Sequence, residues 1–340
     1  MWFDESRLDD QVALGSADLR LRTLAESGSR VRREVGAASE AIAEAVERAG
    51  ESRPRAVIAA GPDSRLLRAV LEPFCPVPFV AWPAPALPGW AGSLDLVVVL
   101  APEGSDAGTA SAVAEAARRG CQLVVACPPS SMVAEHAAGR WTTILPTSTS
   151  DQLATAVAML SFLHQVQLGP TAEPEAVADA LDQVAIACSP NRDISINPAK
   201  MLAISLADAN PLVWGGSVLA ARAARRVAES IRRTSGRTAL AGDAEHLLPV
   251  IEAARPRDVF ADPVADGTGD RRPVIVVLDD GVEDPVVADL RARLEQSAQA
   301  RDVRVEVVTA EADSEVGRYA ALLLHGTYAA EYLRLGLVED

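Results

Sequence analysis

Lysine is almost absent from this sequence of 340 residues. All but one of its 32 basic residues are arginine, and the exception is Lys200, in the run Asn197-Pro198-Ala199-Lys200. A preference for arginine, alanine and valine together is typical of a codon bias. The single lysine is therefore either a chance survivor on a helix surface or a residue kept for its function, and both readings stay open.

Aromatic residues are scarce as well, at 4% of the chain, although hydrophobic residues make up 49%. The core must then be built from Val, Leu, Ile and Ala. Parallel sheets covered by helices have this composition, because their strands are buried on both faces and form short continuous aliphatic runs. The sequence predicts the α/β class, and its length predicts two domains.

Cysteine and histidine pairs that bind metals are missing. The four cysteines, Cys75, Cys121, Cys127 and Cys188, show no CxxC spacing and no accompanying histidine pair. We therefore expect no zinc site, no disulfide framework and no cofactor, and free buried thiols instead.

Basic stripes and long apolar runs are missing too. A net charge of −15 argues against a nucleic-acid partner, although small anions still bind at helix N-termini of acidic proteins. Residues 1–20 lack the apolar core of a signal peptide, and no stretch approaches the ~20 apolar residues of a membrane span. We expect a cytoplasmic protein that binds neither nucleic acid nor membrane.

Two successive alternations of strands and helices follow a helix predicted over 18–49. They predict an N-terminal helical arm, a first α/β domain, a helical linker and a second α/β domain with a C-terminal helix, over residues 1–49, 50–168, 169–209 and 210–340. The first set of strands is expected at 56–60, 77–80, 94–100, 122–126 and 142–145. The second set is expected at 212–214, 238–240, 274–278 and 303–308, before a closing helix at 313–336.

The run Asn197–Lys200 between the halves and the closing Gly326–Leu333 carry a family resemblance. From about residue 40 the chain resembles the bifunctional phosphoglucose/phosphomannose isomerases, which consist of two sugar isomerase (SIS) domains. The resemblance implies two parallel flavodoxin-like sheets flanked by helices, a hexose 6-phosphate ligand and a homodimer in mannose metabolism. We take the N-terminal helix and the closing helix as candidates for the dimer contact.

The family holds phosphate with a Gly-rich loop and a Ser-Gly-Asn-Thr-like loop, and both are altered here. The first reads Gly61-Pro62-Asp63-Ser64-Arg65, and the second runs from Glu103 to Thr109. Ser64, Ser105 and Thr109 keep a phosphate-binding character, whereas the acidic Asp63, Glu103 and Asp106 repel phosphate and Arg65 offsets part of this. Ordinary solvated turns remain the alternative. Gly215, Gly216 and Ser217 form a third candidate turn, before a helix.

The family's catalytic glutamate aligns with Thr234, which cannot act as a base near neutral pH without an activator. Its ring-opening histidine aligns with His246. A replacement base would be Glu245 or Glu229, although an acid beside a histidine at a helix start is more often a cap or a solvated pair. The family's arginine after the last strand of the first domain has no counterpart in residues 147–150.

Three functions remain. The favoured one is a sugar phosphate-binding protein with lost or much reduced isomerase activity, acting as a regulator or scaffold, with a sugar-phosphate enzyme as one candidate partner. The alternatives are an active aldose–ketose isomerase with a displaced base, and a dimerisation module without a ligand. At the inter-domain position Lys200, we predict that Lys200→Ala weakens sugar phosphate binding more than it lowers stability.

Overall fold

The computed structural model of the chain describes residues 2–50, 53–254 and 271–338. They form two compact units. The central unit spans residues 27–179, and the terminal unit combines the chain before residue 27 with the chain from residue 180. The predicted division into an arm, two domains and a linker follows the order of the sequence and differs from these compact units. It remains a prediction.

The terminal unit begins with strand β1 (Trp2–Phe3), a 3-10 turn (Glu5–Leu8) and helix α1 (Gln11–Ala25). Helix α2 (Ser27–Ala49), the first element of the central unit, follows after Glu26. The single helix expected over 18–49 is thus wrong in its bounds. The side chain of Asp10 starts α1 early, because it accepts a hydrogen bond from the amide of Ala13 at 2.7 Å.

The central unit continues with a strand–helix alternation whose bounds are β2 (Val57–Ala60), α3 (Ser64–Leu71), β3 (Phe79–Trp82), β4 (Leu96–Leu100), α4 (Ala107–Arg118), β5 (Gln122–Cys127), α5 (Met132–His136), β6 (Thr142–Pro146) and α6 (Gln152–Gln165). The strands pair in parallel in the order β3-β2-β4-β5-β6. Strand β4 is buried throughout, as its aliphatic run predicts. Its residues Val97 and Val99 pack in one core with Val113 of α4 and Val133 of α5.

The division between the two units falls within α7 (Pro174–Ala187), and the rest of the terminal unit follows this helix. Its elements are α8 (Pro198–Leu206), β7 (Ala209–Gly215), α9 (Val218–Ser235), β8 (Leu240–Ala241), α10 (Ala244–Glu252), β9 (Arg272–Asp279), α11 (Pro285–Ala300), β10 (Arg304–Thr309), α12 (Glu315–Gly336) and β11 (Leu337–Val338). The sheet is parallel in the order β10-β9-β7-β8, and β1 pairs with β11. The predicted fold class, parallel sheets flanked by helices, is confirmed.

Helix α12 is the central helix of the terminal unit. Tyr328 and Tyr332 are fully buried, and α12 crosses α9 so closely that a methyl group on Gly326 would lie 2.3 Å from a methyl carbon of Val227. The helix is mostly buried within its own unit. It therefore leaves little surface for the dimer contact that we considered, and the homodimer stays a prediction.

Candidate functional site

Parallel α/β sheets bind ligands beyond the carboxyl ends of their strands, at the point where the order of the strands reverses. In the central sheet the chain passes from β2 outward to β3 and then returns to β4 on the other side of β2. We call the region beyond β2 and β4, with loops 61–63 and 101–106, the central switch point. The corresponding region beyond β7 and β9, with loops 216–217 and 280–284, is the terminal switch point.

Ser64 and Thr109, two of the predicted phosphate ligands, lie together at the central switch point. Gly61 has a φ of +90°, and a methyl group on it would lie 3.0 Å from the Thr109 hydroxyl, so the two loops touch here. Ser64 starts α3, is 1% exposed, and its Oγ has no hydrogen-bond partner. A buried hydroxyl without a partner at a helix N-terminus is suited to an anion, because the helix dipole favours negative charge there.

A carboxylate of the protein already occupies the start of the neighbouring helix. Asp106 precedes α4, and its Oδ1 accepts hydrogen bonds from the amide of Thr109 at 2.7 Å and from its hydroxyl at 2.6 Å. Asp106 and Ser105 are both exposed. Asp106 therefore caps α4 with a carboxylate of the protein, and its side chain is open to water.

The remaining charges at the central switch point are mostly negative. Asp63 accepts a hydrogen bond from the side-chain amide of Gln152 at 2.5 Å. Glu103 is exposed, and so is Arg65 on the first turn of α3. One exposed arginine beside these carboxylates offsets only part of their repulsion of a dianion.

The loop after β6 also carries an internal carboxylate. Glu34 of α2 is 0% exposed. It accepts the amide of Ser148 at 3.0 Å and the hydroxyl of Ser148 at 3.1 Å. The loop in which the resemblance places an arginine is therefore held instead by a buried carboxylate of the protein.

The terminal switch point contains Gly215, Gly216 and Ser217, the third turn predicted to bind an anion. A methyl group on Gly215 would lie 2.2 Å from the backbone of Ala220, and one on Gly216 would lie 2.2 Å from a methyl carbon of Val287. The two glycines are thus required by close packing within the unit. That requirement explains them without a ligand.

The hydroxyl hydrogen of Ser217 is already used in a hydrogen bond within the protein. Its Oγ accepts the amide of Ala220 at 3.0 Å and donates to a carboxylate oxygen of Asp280. Asp280, which is 8% exposed, was not among the residues singled out from the sequence. Its position directly after β9 was the available signal, since the carboxyl ends of parallel strands meet at one edge of the sheet.

Glu245 and His246 lie on the first turn of α10, which follows the outer strand β8 and not β7 or β9. Both side chains are exposed. The amide of His246 donates to the carbonyl of Asp243 at 3.0 Å, but within the described residues neither side chain has a recorded hydrogen bond or ion pair. The structure therefore shows no acid–imidazole pair at this position.

The other acid considered as a base, Glu229, is held on the surface of α9. It pairs with Arg226 at 2.8 Å and with Arg233 at 3.2 Å. Thr234, aligned with the family's catalytic glutamate, lies one residue before the end of the same helix. The carboxylate of Glu229 is thus engaged in two ion pairs along its own helix.

Lys200 is 0% exposed, and its ammonium group makes three hydrogen bonds inside the terminal unit. Its ammonium group donates to Asp9 at 2.6 Å and to the carbonyls of Pro190 and Arg192 at 2.9 and 2.8 Å. An ammonium group has three hydrogens, so none remains for a ligand. The contacts favour the reading in which Lys200 braces its own unit, and the predicted contribution to sugar phosphate binding has no support from them.

Comparisons with known proteins identify the type of domain. Residues 195–336 match the family model of the bacterial phospho-glucose isomerase C-terminal SIS domain. No curated protein matches the chain significantly. The match covers less than half of the chain, so it assigns a domain type to that segment.

Solved structures share the fold over almost the whole chain. Tagatose-6-phosphate ketose/aldose isomerase from Escherichia coli is 12% identical with a TM-score of 0.65, covering 92% of each chain. The C-terminal domain of glucosamine-fructose-6-phosphate aminotransferase from Francisella tularensis is 12% identical with a TM-score of 0.58, covering 90% of this chain and 95% of that one. A glucose-6-phosphate isomerase like protein from Thermus thermophilus is 18% identical with a TM-score of 0.52, covering 84% of this chain and 82% of that one. At such identities the likeness shows the fold alone.

Proposed function

We propose that this protein binds a hexose 6-phosphate at the central switch point and that its isomerase activity is lost or much reduced. The observation that carries the proposal is the buried, unpartnered hydroxyl of Ser64 at the N-terminus of α3. The SIS-type fold and the segment that matches a phospho-glucose isomerase domain support the ligand class. Thr109 and Ser105 would complete the phosphate contacts once Asp106 turns toward water.

Loss of catalysis follows from the candidate bases. Aldose–ketose isomerisation needs a base positioned to move a proton through an enediol. Glu229 is engaged in ion pairs with two arginines, and the exposed Glu245 and His246 have no recorded partner that would orient them among the described residues. A regulatory or scaffold role in hexose phosphate metabolism, as a cytoplasmic homodimer or with a sugar-phosphate enzyme as its partner, completes the proposal.

An active isomerase of the bifunctional phosphoglucose/phosphomannose type, with a displaced base, is the second candidate. It is favoured by the exposure of Glu245 and His246 on adjacent positions of α10. In that case His246 would open the sugar ring and Glu245 would move the proton.

Binding is tested with two variants that act in opposite directions. Asp106→Asn keeps a good helix cap and removes one charge, and two unit charges about 4 Å apart interact by about 4 kcal/mol at an effective dielectric constant of 20. We expect glucose 6-phosphate to bind at least about tenfold more tightly to this variant. Ser64→Ala should bind it about tenfold more weakly, because a hydrogen bond to a charged group contributes about 1.5–3 kcal/mol.

The measurement is titration calorimetry with glucose, mannose and fructose 6-phosphates, with thermal unfolding as a check on folding. Since the Ser64 hydroxyl is buried without a partner, Ser64→Ala should be at least as stable as the natural protein without ligand. Absence of binding to all three esters, in the natural protein and in Asp106→Asn, would refute the proposed site.

Turnover separates the two candidate functions. A coupled assay follows the conversion of fructose 6-phosphate into glucose 6-phosphate and mannose 6-phosphate, beside His246→Ala. Binding without turnover supports the silent protein. Turnover that His246→Ala abolishes would establish the active isomerase instead.

A further inference from the structure

Among the residues that the structure describes, the terminal sheet has four strands and the central sheet has five. Both sheets begin alike, with the second strand on one side of the first and the third and fourth strands on the other side. In the central sheet a fifth strand, β6, pairs in parallel with the fourth, β5. In the terminal sheet the chain passes from the fourth strand, β10, into α12. The outer edge of β10 is therefore the place where the central sheet carries β6.

The backbone groups along this outer edge are unpaired. The amide of Ala310 donates to the carbonyl of Asp279, at the end of β9, at 3.1 Å. Since successive residues of a strand direct their peptide groups to opposite sides, Val305, Val307 and Thr309 direct theirs away from β9. No hydrogen bond to these groups is recorded within the described part of the chain. A row of unpaired N–H and C=O groups is a template for a further strand.

The devices that usually protect a free edge are missing from β10. Such edges carry proline, a bulge or free charged side chains. Here the pairing of Arg304–Thr309 with β9 is uninterrupted. The two charged residues of the strand are engaged within the unit, since Arg304 bonds Asp208 and Glu306 accepts a hydrogen bond from Ser205. The residues whose peptide groups face outward are uncharged and β-branched, which suits strand pairing.

A cleft of about 330 Å³ lies beside this edge. Residues 307–311 form one wall, and α7 and α12 form the others with apolar side chains that include Val184, Ala187 and Ala321. Val307 is 44% exposed at this cleft. A strand added along β10 would direct every second side chain to the same face of the sheet. Apolar residues at those positions would therefore fill the cleft.

The charge beside the edge selects the other side chains of the added strand. Glu311 lines the cleft, and no arginine or lysine is among the lining residues that the structure describes. Asp313 and Glu315 are exposed directly after it. We propose that the outer edge of β10 binds, as an added strand, an extended segment of another protein in which apolar residues alternate with lysine or arginine. The backbone of the segment pairs with Val307 and Thr309, and its basic side chains lie near these acids. The surface is independent of the sugar phosphate proposal.

The test uses a short fluorescein-labelled peptide in which valine alternates with lysine, and a reference peptide with glutamate in place of lysine. Fluorescence anisotropy measures the affinity of both for the full chain. We expect the lysine peptide to bind at least about tenfold more tightly, with an affinity that falls as salt screens the charges. Hydrogen exchange of the amides of Val307 and Thr309 should slow on binding, because these amides then donate to the peptide.

Two variants at one position separate strand pairing from charge attraction. Val307→Pro keeps the charge of the protein and the bonds to β9 but removes an outward N–H group, and it should bind the lysine peptide at least about tenfold more weakly. Val307→Ala keeps that group and should retain most of the affinity. Equal binding by Val307→Pro and the natural protein, equal binding of the two peptides, or no binding of the lysine peptide would overturn the proposal. If Val307→Pro fails to fold, the exchange of the Val307 amide in the natural protein still decides.

A second copy of this chain is the other occupant that a free edge could take. Sedimentation of the natural protein and of Val307→Pro, both without peptide, tests for it. We expect the same mass for the two proteins. A dimer that Val307→Pro dissociates would assign the edge to self-association and overturn the proposal of a basic partner segment.

Discussion

Replacing Lys200 by methionine tests whether this lysine braces the terminal unit or serves a ligand. Methionine keeps most of the apolar stem and removes the ammonium group. The variant loses three hydrogen bonds of 2.6–2.9 Å and a cation–π contact at 5.6 Å from the ring of Tyr332. The carbonyls of Pro190 and Arg192 lose their shared donor.

The expected loss of stability is about 3 kcal/mol. Removing one partner of a buried ion pair destabilises proteins by about 3–5 kcal/mol. The lower end applies because the side chain of Asp9 is 41% exposed and regains water once Lys200 is gone. Asp9→Asn, which keeps a hydrogen-bond acceptor but leaves the buried ammonium group of Lys200 without its counter-charge, should also lose about 3 kcal/mol.

Urea unfolding at pH 7, followed by circular dichroism and by tryptophan fluorescence, measures these differences, and coincident transitions test for two-state behaviour. The double variant gives the coupling between the two side chains. Calorimetry with glucose 6-phosphate should show unchanged affinity in Lys200→Met. A loss of stability below about 1 kcal/mol, or a weakened affinity at unchanged stability, would refute the bracing role and restore the ligand-binding prediction.

Two further predictions concern the terminal unit. Gly326→Ala should destabilise the protein by about 1–3 kcal/mol in urea unfolding, because its methyl group would overlap Val227. The control is Gly15→Ala inside α1, where an added methyl group meets nothing within 4 Å and should stabilise the protein by about 0.5–1 kcal/mol. Equal effects of the two substitutions would contradict the packing argument. Burial lowers the pKa of His325 to about 4, in a cleft also lined by Cys188 and Glu311. The free energy of unfolding should therefore not depend on this residue above pH 6.5, and it should fall by up to about 3 kcal/mol as the pH is lowered from 6.5 toward 4. His325→Phe should lose this part of the acid sensitivity, and parallel curves of unfolding free energy against pH for the two proteins would contradict a buried neutral ring.

The strands were the most predictable part of the fold, because burial on both faces produces an aliphatic run that solvent-exposed segments do not have. The run Leu94–Leu100 contains β4, which spans Leu96–Leu100. The break between α1 and α2 was not predictable in this way. It occurs at Glu26 without proline, and hydrophobic residues continue at helical spacing on both sides.

The phosphate-binding role of Ser64 and Thr109, which the family resemblance suggested, stays a prediction. Their proximity could be expected from the sequence, because each lies in a turn or first helical turn after a parallel strand, and such turns meet at one edge of the sheet. The environment of Lys200 was not predictable, since its carboxylate partner, Asp9, is 191 positions away along the chain. The carboxylate on Ser217 likewise comes from a different loop, 63 positions later.

The two switch points differ in how readily they could admit a phosphate. At both of them a hydroxyl near a helix start donates to a protein carboxylate, Thr109 to Asp106 and Ser217 to Asp280. Asp106 is exposed, so water would solvate it after a ligand displaced it. Asp280 is 8% exposed, and breaking its bond to Ser217 would leave a buried charge without that donor, which is far less favourable. Under the proposed function, a phosphate would therefore be admitted at the central switch point and not at the terminal one. This asymmetry is why Asp106→Asn, and not the equivalent change at Asp280, is the variant expected to gain affinity.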